Sequence, residues 1–221
     1  MSQKFTLDIE KCNKLFSFDT TKIDDLDNTT FCKDISLNEL RSALRQLCPA
    51  ASPGLDSIPS SLYLKLFDLM GSHMLQLFND ILHGEQPSHS MRTSVVQFLG
   101  KPKNMNSIKL TDKRKISVLC TDFKCLETIF ANRLNTIMSK FISHSQYAAE
   151  PRKIHQGIAA ARDTINYISK KDIPAAFLCL DMKAGFDNLN LDFTWFCLSK
   201  YGVSSQSIDM MKNRKIAPKL R

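Results

Sequence analysis

Apolar residues recur at helical spacing along most of the chain, and short polar breaks separate the runs. Leu37, Leu40, Leu44 and Leu47 share one helical face, the i, i+3, i+4 pattern of an amphipathic helix. Ser36 and Glu39 in "SLNE" open it as a capping box: the hydroxyl accepts from a free backbone N–H while the glutamate reaches back to the cap. Pro49 stops the helix. Ala51–Pro59, "ASPGLDSIP", is turn chemistry around Pro53-Gly54, a strong punctuator. Leu62, Leu66, Met70, Met74, Leu77, Phe78 and Ile81 then predict a second helix, closed by "HGEQP" at His83–Pro87.

Further on the period changes. "TSVVQFLG", Thr93–Gly100, is short, β-branched and apolar, the signature of a strand. A basic connector follows, with lysines or arginines at 101, 103, 109, 113 and 114. A long helix starts at the cap Thr121-Asp122 and carries Phe123, Leu126, Ile129, Phe130, Leu134, Ile137 and Phe141. Another runs from about 154 to 169. "AAFLCLD", Ala175–Asp181, reads as a buried strand, and after a turn a helix over about 190–201 ends at Gly202, a C-cap glycine. Residues 1–33 carry the weakest pattern and are expected to be a partly ordered lead-in. No repeat, low-complexity tract or separating linker interrupts the rest.

Composition narrows the function. The 221 residues include 43% hydrophobic and 24% charged residues, ordinary values for a soluble globular protein. A net charge of +8 favours an anionic partner, nucleic acid first. "MSQKFTLDIEK" has no apolar core of a secretory signal, and no run approaches the roughly 18 apolar residues of a membrane span. Seven cysteines with no C-x-x-C spacing read as reduced thiols in an intracellular protein, nucleus or cytoplasm unresolved. The histidines at 73, 83, 89, 144 and 155 show no metal spacing.

The most informative stretch is "FLCLDMKAGFDNLN", Phe177–Asn190. An apolar run ends in Asp181, and Gly185, Phe186 and Asp187 follow. Read without context, Asp181 is an ordinary strand-end carboxylate and Asp187 a cap for the next helix.

Taken together, five landmarks in one order resemble the reverse transcriptase domain of a non-LTR, LINE-like retrotransposon. "SPGLDSIP" (Ser52–Pro59) is similar to that family's S-P-G-x-D-x-I-P. The lysines of "GKPK" and "KRKISVL" (Lys113–Leu119) resemble its lysine-bearing turn and R-P-I-S-L-L. "DFKCLETIFANRL" (Asp122–Leu134), "SQYAAEPRKIHQGI" and "LDMKAGFDNLN" resemble the helix ending in R-L, the Q-x-G-F region and motif A. The resemblance spans about residues 34–205. It implies an α+β, right-hand polymerase fold: fingers over 34–174 and the start of the palm over 175–221.

The same resemblance assigns roles. Asp181 would be a catalytic metal ligand, with the Met182 carbonyl beside it, for Mg²⁺ or Mn²⁺. Phe186 would sit under the sugar of the incoming nucleotide, and Gly185 would leave that ring room. Arg114 and one of Lys101 and Lys103 would meet the triphosphate, for which a guanidinium fork suits phosphate oxygens. Lys124, Gln146 and Arg152 would face nucleic acid. The implied partners are an RNA template, a DNA primer and a dNTP; no membrane is implied, and the oligomeric state is open.

Departures from the pattern matter as well. Lys115 stands where proline is usual, freeing φ, Gly185 replaces an alanine, and "QYAAEPR" lacks the expected glycine. The glycine-bearing motif B, the x-D-D hairpin of motif C and a thumb do not precede Arg221. "KIDDL" (Lys22–Leu26) holds an Asp-Asp pair but lies upstream in a polar stretch, the wrong place for motif C. Two-metal nucleotidyl transfer needs carboxylates that clamp two ions about 4 Å apart. The expectation is therefore a fragment of an RNA-directed DNA polymerase, inactive alone, with an unpaired and poorly soluble strand 175–181. The alternative is a non-catalytic nucleic-acid-binding remnant with basic fingers.

Overall fold

The computed structural model describes residues 8–16, 22–100, 107–140, 142–148, 153–182, 185, 188–213 and 217–220. Helices and strands are mixed: α1 Ile9–Leu15, α2 Asp25–Cys32, α3 Leu37–Gln46, α4 Ser60–Lys65, α5 Phe67–Leu82, β1 Thr93–Gly100, β2 Lys113–Val118, α6 Thr121–Met138, α7 Ile154–Lys170, α8 Leu191–Lys200, α9 Ser205–Asn213 and β3 Ala217–Leu220. They divide into two compact units, residues 28–133 with 205–221, and residues 1–27 with 134–204.

In the first unit a three-stranded sheet has the order β2-β1-β3. β1 and β2 form an antiparallel pair in which Leu99 faces Arg114 and Val95 faces Val118. β3 lies parallel to β1, Thr93 opposite Ala217. β1 coincides with the expected strand. β3 falls in the basic tail, where no strand was expected, and its Pro218 is tolerated because the strand sits at a sheet edge. α3 packs on α4 and α5. Leu40, Leu44, Phe78, Phe123, Leu126 and Ile129 are almost wholly buried, each contributing about 1.5–3 kcal/mol relative to exposure.

The single helix expected over 62–81 is instead two. α4 ends at Lys65, and Leu66, with φ −97° and ψ 15°, leaves helical geometry before α5 begins. Arg41 fixes that start from outside: its guanidinium lies 4.4 Å from the Phe67 ring centre and 2.7 Å from the Asp68 carboxylate.

Among the described residues of the N-terminal lead-in, two helices form, α1 and α2. Asp8 caps α1 by accepting from the Lys11 N–H. Asp24 Oδ1 accepts from the Asp27 N–H at 2.7 Å, so the "KIDDL" carboxylates open α2. A short polar stretch with an Asp cap was enough to start a helix without a long apolar stripe.

In the second unit, α8 is capped at both ends. Asn190 Oδ1 accepts from the Phe193 N–H. Gly202 (φ +87°) follows the C-cap, and the amides of Gly202 and Val203 donate to the Ser199 and Leu198 carbonyls, the pairing of a Schellman motif. The expected C-cap glycine is therefore present. α7 forms over nearly the expected span, begun by the Gln156 side chain accepting from the Lys153 N–H.

The strand expected over 175–181 does not form. Residues 173–182 have no regular secondary structure and are exposed throughout. Phe177, Leu178, Leu180 and Met182 are 69–85% exposed. A strand needs a ladder partner for its backbone donors and acceptors, and among the described residues none pairs with this segment.

Candidate polymerase site

Asp181 and Met182 are the last two residues of the exposed segment 173–182, and Met182 is 82% exposed. A Cβ placed on Gly185 would meet the Met182 Cβ at 3.7 Å and its carbonyl oxygen at 3.8 Å, ordinary contacts that an alanine would satisfy. Phe186, Lys101, Lys103 and Arg152 lie outside the described residues.

Asp181 and Met182 offer hard oxygen donors, the right chemistry for Mg²⁺. Among the described residues, however, Asp181 belongs to no group of three or more His, Cys, Asp or Glu ligand atoms. A two-ion centre does not assemble from those residues.

Arg114 is exposed on β2, between the half-buried Lys113 and the exposed Lys115. The hairpin therefore presents three successive cations. Gln146 turns inward on its own loop: its N–H donates to the Ser143 carbonyl, and its Oε1 accepts from the Ala148 N–H at 3.0 Å. The neighbouring Tyr147 ring lies against Gly157 of α7, where a Cβ would stand 2.7 Å from the ring.

Lys124 does not project from α6 as a free cation. Its ammonium donates to the Ser52 carbonyl at 2.9 Å. This bond belongs to a set that seats the "SPGLDSIP" loop on the start of α6. Thr121 Oγ1 donates to the Ile58 carbonyl at 2.7 Å. Gly54 lies so close to Leu119 and Cys120 that a Cβ would be 2.4 Å from the Cys120 Cα.

Where the loop meets the start of α6 lies a group that sequence spacing did not bring together. One ligand atom each of Asp56, Cys120 and Asp122 lie within 4.8 Å of one another. Burial holds the Asp122 carboxyl above its usual range, and the nearby Asp56 charge adds to the shift. Burial likewise raises the Cys120 thiol, and that of Cys125 is pushed up to about 12 by burial and the Asp122 charge. A protonated thiol beside carboxylates is a poor cradle for a hard cation. The one hint in the sequence was the close sequence pairing of Cys120 and Asp122.

Arg133 lies within the family-like helix α6 and is also internally committed. It forks onto Glu39 and donates to the Phe31, Lys33 and Asp34 carbonyls. Glu39 thus turns to Arg133, where the capping box expected it to reach back to Ser36. Ser36 still accepts from the Glu39 N–H. A charge-assisted fork is stronger than a neutral backbone bond, which accounts for the choice.

A template-directed nucleic-acid polymerase is the class that these motifs describe, and comparison with known proteins agrees. Residues 101–218 match the family model described as "Reverse transcriptase (RNA-dependent DNA polymerase)". That match takes in just over half of the chain, which therefore belongs to the reverse transcriptase family. The chain is also similar to a Xenopus laevis protein described as "Transposon TX1 uncharacterized 149 kDa protein", at 26% identity over 179 residues. The aligned stretch is 80% of this chain and 14% of that protein. The likeness supports the reading of a reverse transcriptase fragment from a non-LTR retroelement. No described helix is long and apolar enough to cross a membrane.

Proposed function

We propose that the chain supplies the fingers and the opening of the palm of an RNA-directed DNA polymerase. The observation that carries this is the family match over 101–218, which includes both strand β2 with Arg114 and the Asp181 segment. Residues 34–174 are the fingers and 175–221 begin the palm. Asp181, with the Met182 carbonyl, contributes to the metal site of the whole polymerase. Bound there, Mg²⁺ supplies charge stabilisation at the reacting phosphate.

The remaining roles belong to side chains of this chain. Arg114, with Lys101 or Lys103, binds the triphosphate of the incoming dNTP. Phe186 stands under its sugar and selects against a 2′-hydroxyl, with Gly185 giving the ring space. Arg152 and Gln146 lie toward the template and primer.

The chain's own nucleic-acid affinity is testable directly. Fluorescence anisotropy with a single-stranded RNA should show binding that weakens steeply with salt. Neutralisation of several phosphates gives a log–log slope of about −0.7 per phosphate. Salt-independent binding, or none, would sink the assignment of basic fingers. The net charge of +8 equally favours a second reading, a non-catalytic RNA-binding remnant. In that case the Asp181→Ala change leaves every measurable function intact.

A further inference from the structure

The loop Ser52–Ile58 is held at the corner where both strands of the β1–β2 hairpin leave the helical part of their unit. Gly54 abuts the carbonyl carbon of Leu119 and the backbone of Cys120, the two residues between β2 and α6. The Cys120 thiol reaches the Ser90 carbonyl, in the turn that leads into β1. Across the hairpin, Val118 at the end of β2 faces Val95 near the start of β1. Three ties hold the loop at this corner: the close approach of Gly54, Thr121 to Ile58, and Lys124 to Ser52. Inside the loop, the Ser57 N–H donates to the Gly54 carbonyl, and the Ile58 N–H to Asp56 Oδ1, both at 3.1 Å. Ser57 accepts a left-handed φ of 60° in doing so.

We propose that Lys124 is a positioning residue. Its ammonium clamps the Ser52–Ile58 loop, which braces the base of the hairpin carrying Arg114, and it does not touch nucleic acid. The proposal rests on the polymerase reading for the purpose of the hairpin but not for the clamp itself. An ammonium committed to a carbonyl oxygen is a directed, charge-assisted bond. That bond takes one of the three ammonium donors, and the salt slope decides whether the other two ever meet a phosphate.

Hydrogen exchange and RNA binding on the same variants test it. Lys124→Met keeps the aliphatic stem and the helix but removes the donor. The exchange of the Ser57 and Ile58 amides should speed up by about ten- to a hundredfold, the scale of one hydrogen bond to a charged group. Lys124→Arg, which can still reach the carbonyl, should restore protection. In both variants the slope of log affinity against log salt should equal that of the unaltered chain. Unchanged exchange in Lys124→Met would overturn the clamp. A slope shallower by about 0.7, the value of a single neutralised phosphate, would overturn the exclusion of nucleic acid. Lys124→Gln, too short to reach Ser52, serves if the methionine variant does not fold. Were the unaltered chain to show no salt-dependent binding, the polymerase reading would fail while the exchange data still decided the clamp.

Discussion

Arg133 and Glu39 form a forked ion pair, Nε to one carboxylate oxygen at 2.7 Å and Nη2 to the other at 2.9 Å. The Arg133 side chain is only 9% exposed, and its Nη1 donates to the Phe31 and Lys33 carbonyls. One side chain thus satisfies the end of α2, the chain leading to α3 and a carboxylate in its first turn. Removing it leaves several acceptors without a donor. Arg133→Ala should cost about 3–5 kcal/mol, the scale of breaking a buried pair. A lysine ammonium cannot fork, so Arg133→Lys should recover less than half of that. Urea unfolding measures both. A loss below about 1 kcal/mol would place the pair with weak surface bridges.

Thiol reactivity should follow burial. Cys48 and Cys179 are exposed, whereas Cys120 and Cys125 are buried. The Cys125 pKa, pushed up to about 12 by burial, leaves almost no thiolate, the reactive form, at neutral pH. Brief iodoacetamide treatment followed by peptide mass spectrometry should label Cys48 and Cys179 and spare Cys125. Equal labelling of Cys125 would contradict the packing of α6.

Asp122 gives the fold a pH dependence of defined sign. Its carboxyl holds a proton to higher pH in the folded chain than the ordinary value of 3.8, chiefly because it is buried. As pH rises from that value through the raised one, the folded state binds more protons than the unfolded state. Stability therefore falls across that window. Asp122→Asn removes the titration and can keep an oxygen as acceptor for the Phe123 N–H, the bond that Asp122 Oδ1 makes. Thermal melts should show a higher Tm at neutral pH and a flatter acid profile for the variant. A lower Tm at neutral pH would mean that the carboxylate is needed in its charged form.

The exposed segment 173–182 should govern solubility. Phe177 and Leu180 are 69% and 85% exposed, in a β-prone stretch of the kind that pairs between chains. Replacing both with lysine should raise the concentration at which light scattering appears and leave far-UV circular dichroism unchanged. An unchanged aggregation threshold would exonerate the segment.

Local signals in the sequence were reliable where the physics is local. The Ser36 cap, the Gly202 C-cap and the span of β1 all depend on neighbours within a few residues, and all are present. α6 begins at Thr121, but the expected cap is not formed there. The Thr121 hydroxyl turns to the Ile58 carbonyl, and the first helical bond runs from the Lys124 N–H to the Cys120 carbonyl. Long-range choices were not legible. Glu39 takes a partner 94 positions away, and Lys124 one 72 positions away, so neither could be paired by spacing. Ala175–Asp181 has the composition of a strand, but composition does not supply a ladder partner. Of the candidate site, the Asp181 motif was found by its order among the other landmarks, while the Asp56, Cys120 and Asp122 group arises only when the loop folds onto α6. Gly54 shows the same limit: its need for glycine comes from its closeness to Cys120 rather than from its own dihedrals.

The most direct test is primer extension by the polypeptide encoded by the whole open reading frame. The assay holds an RNA template, a DNA primer, dNTPs and Mg²⁺, and compares Asp181 with Asp181→Ala. Extension should occur and fall by well over about 100-fold with the substitution, since even partners that merely support a metal ligand cost about 10–100-fold when lost. Equal extension by both proteins would contradict the assignment of Asp181 to the metal site. Absence of extension from either, with salt-dependent RNA binding retained, would leave the chain as an RNA-binding member of the family.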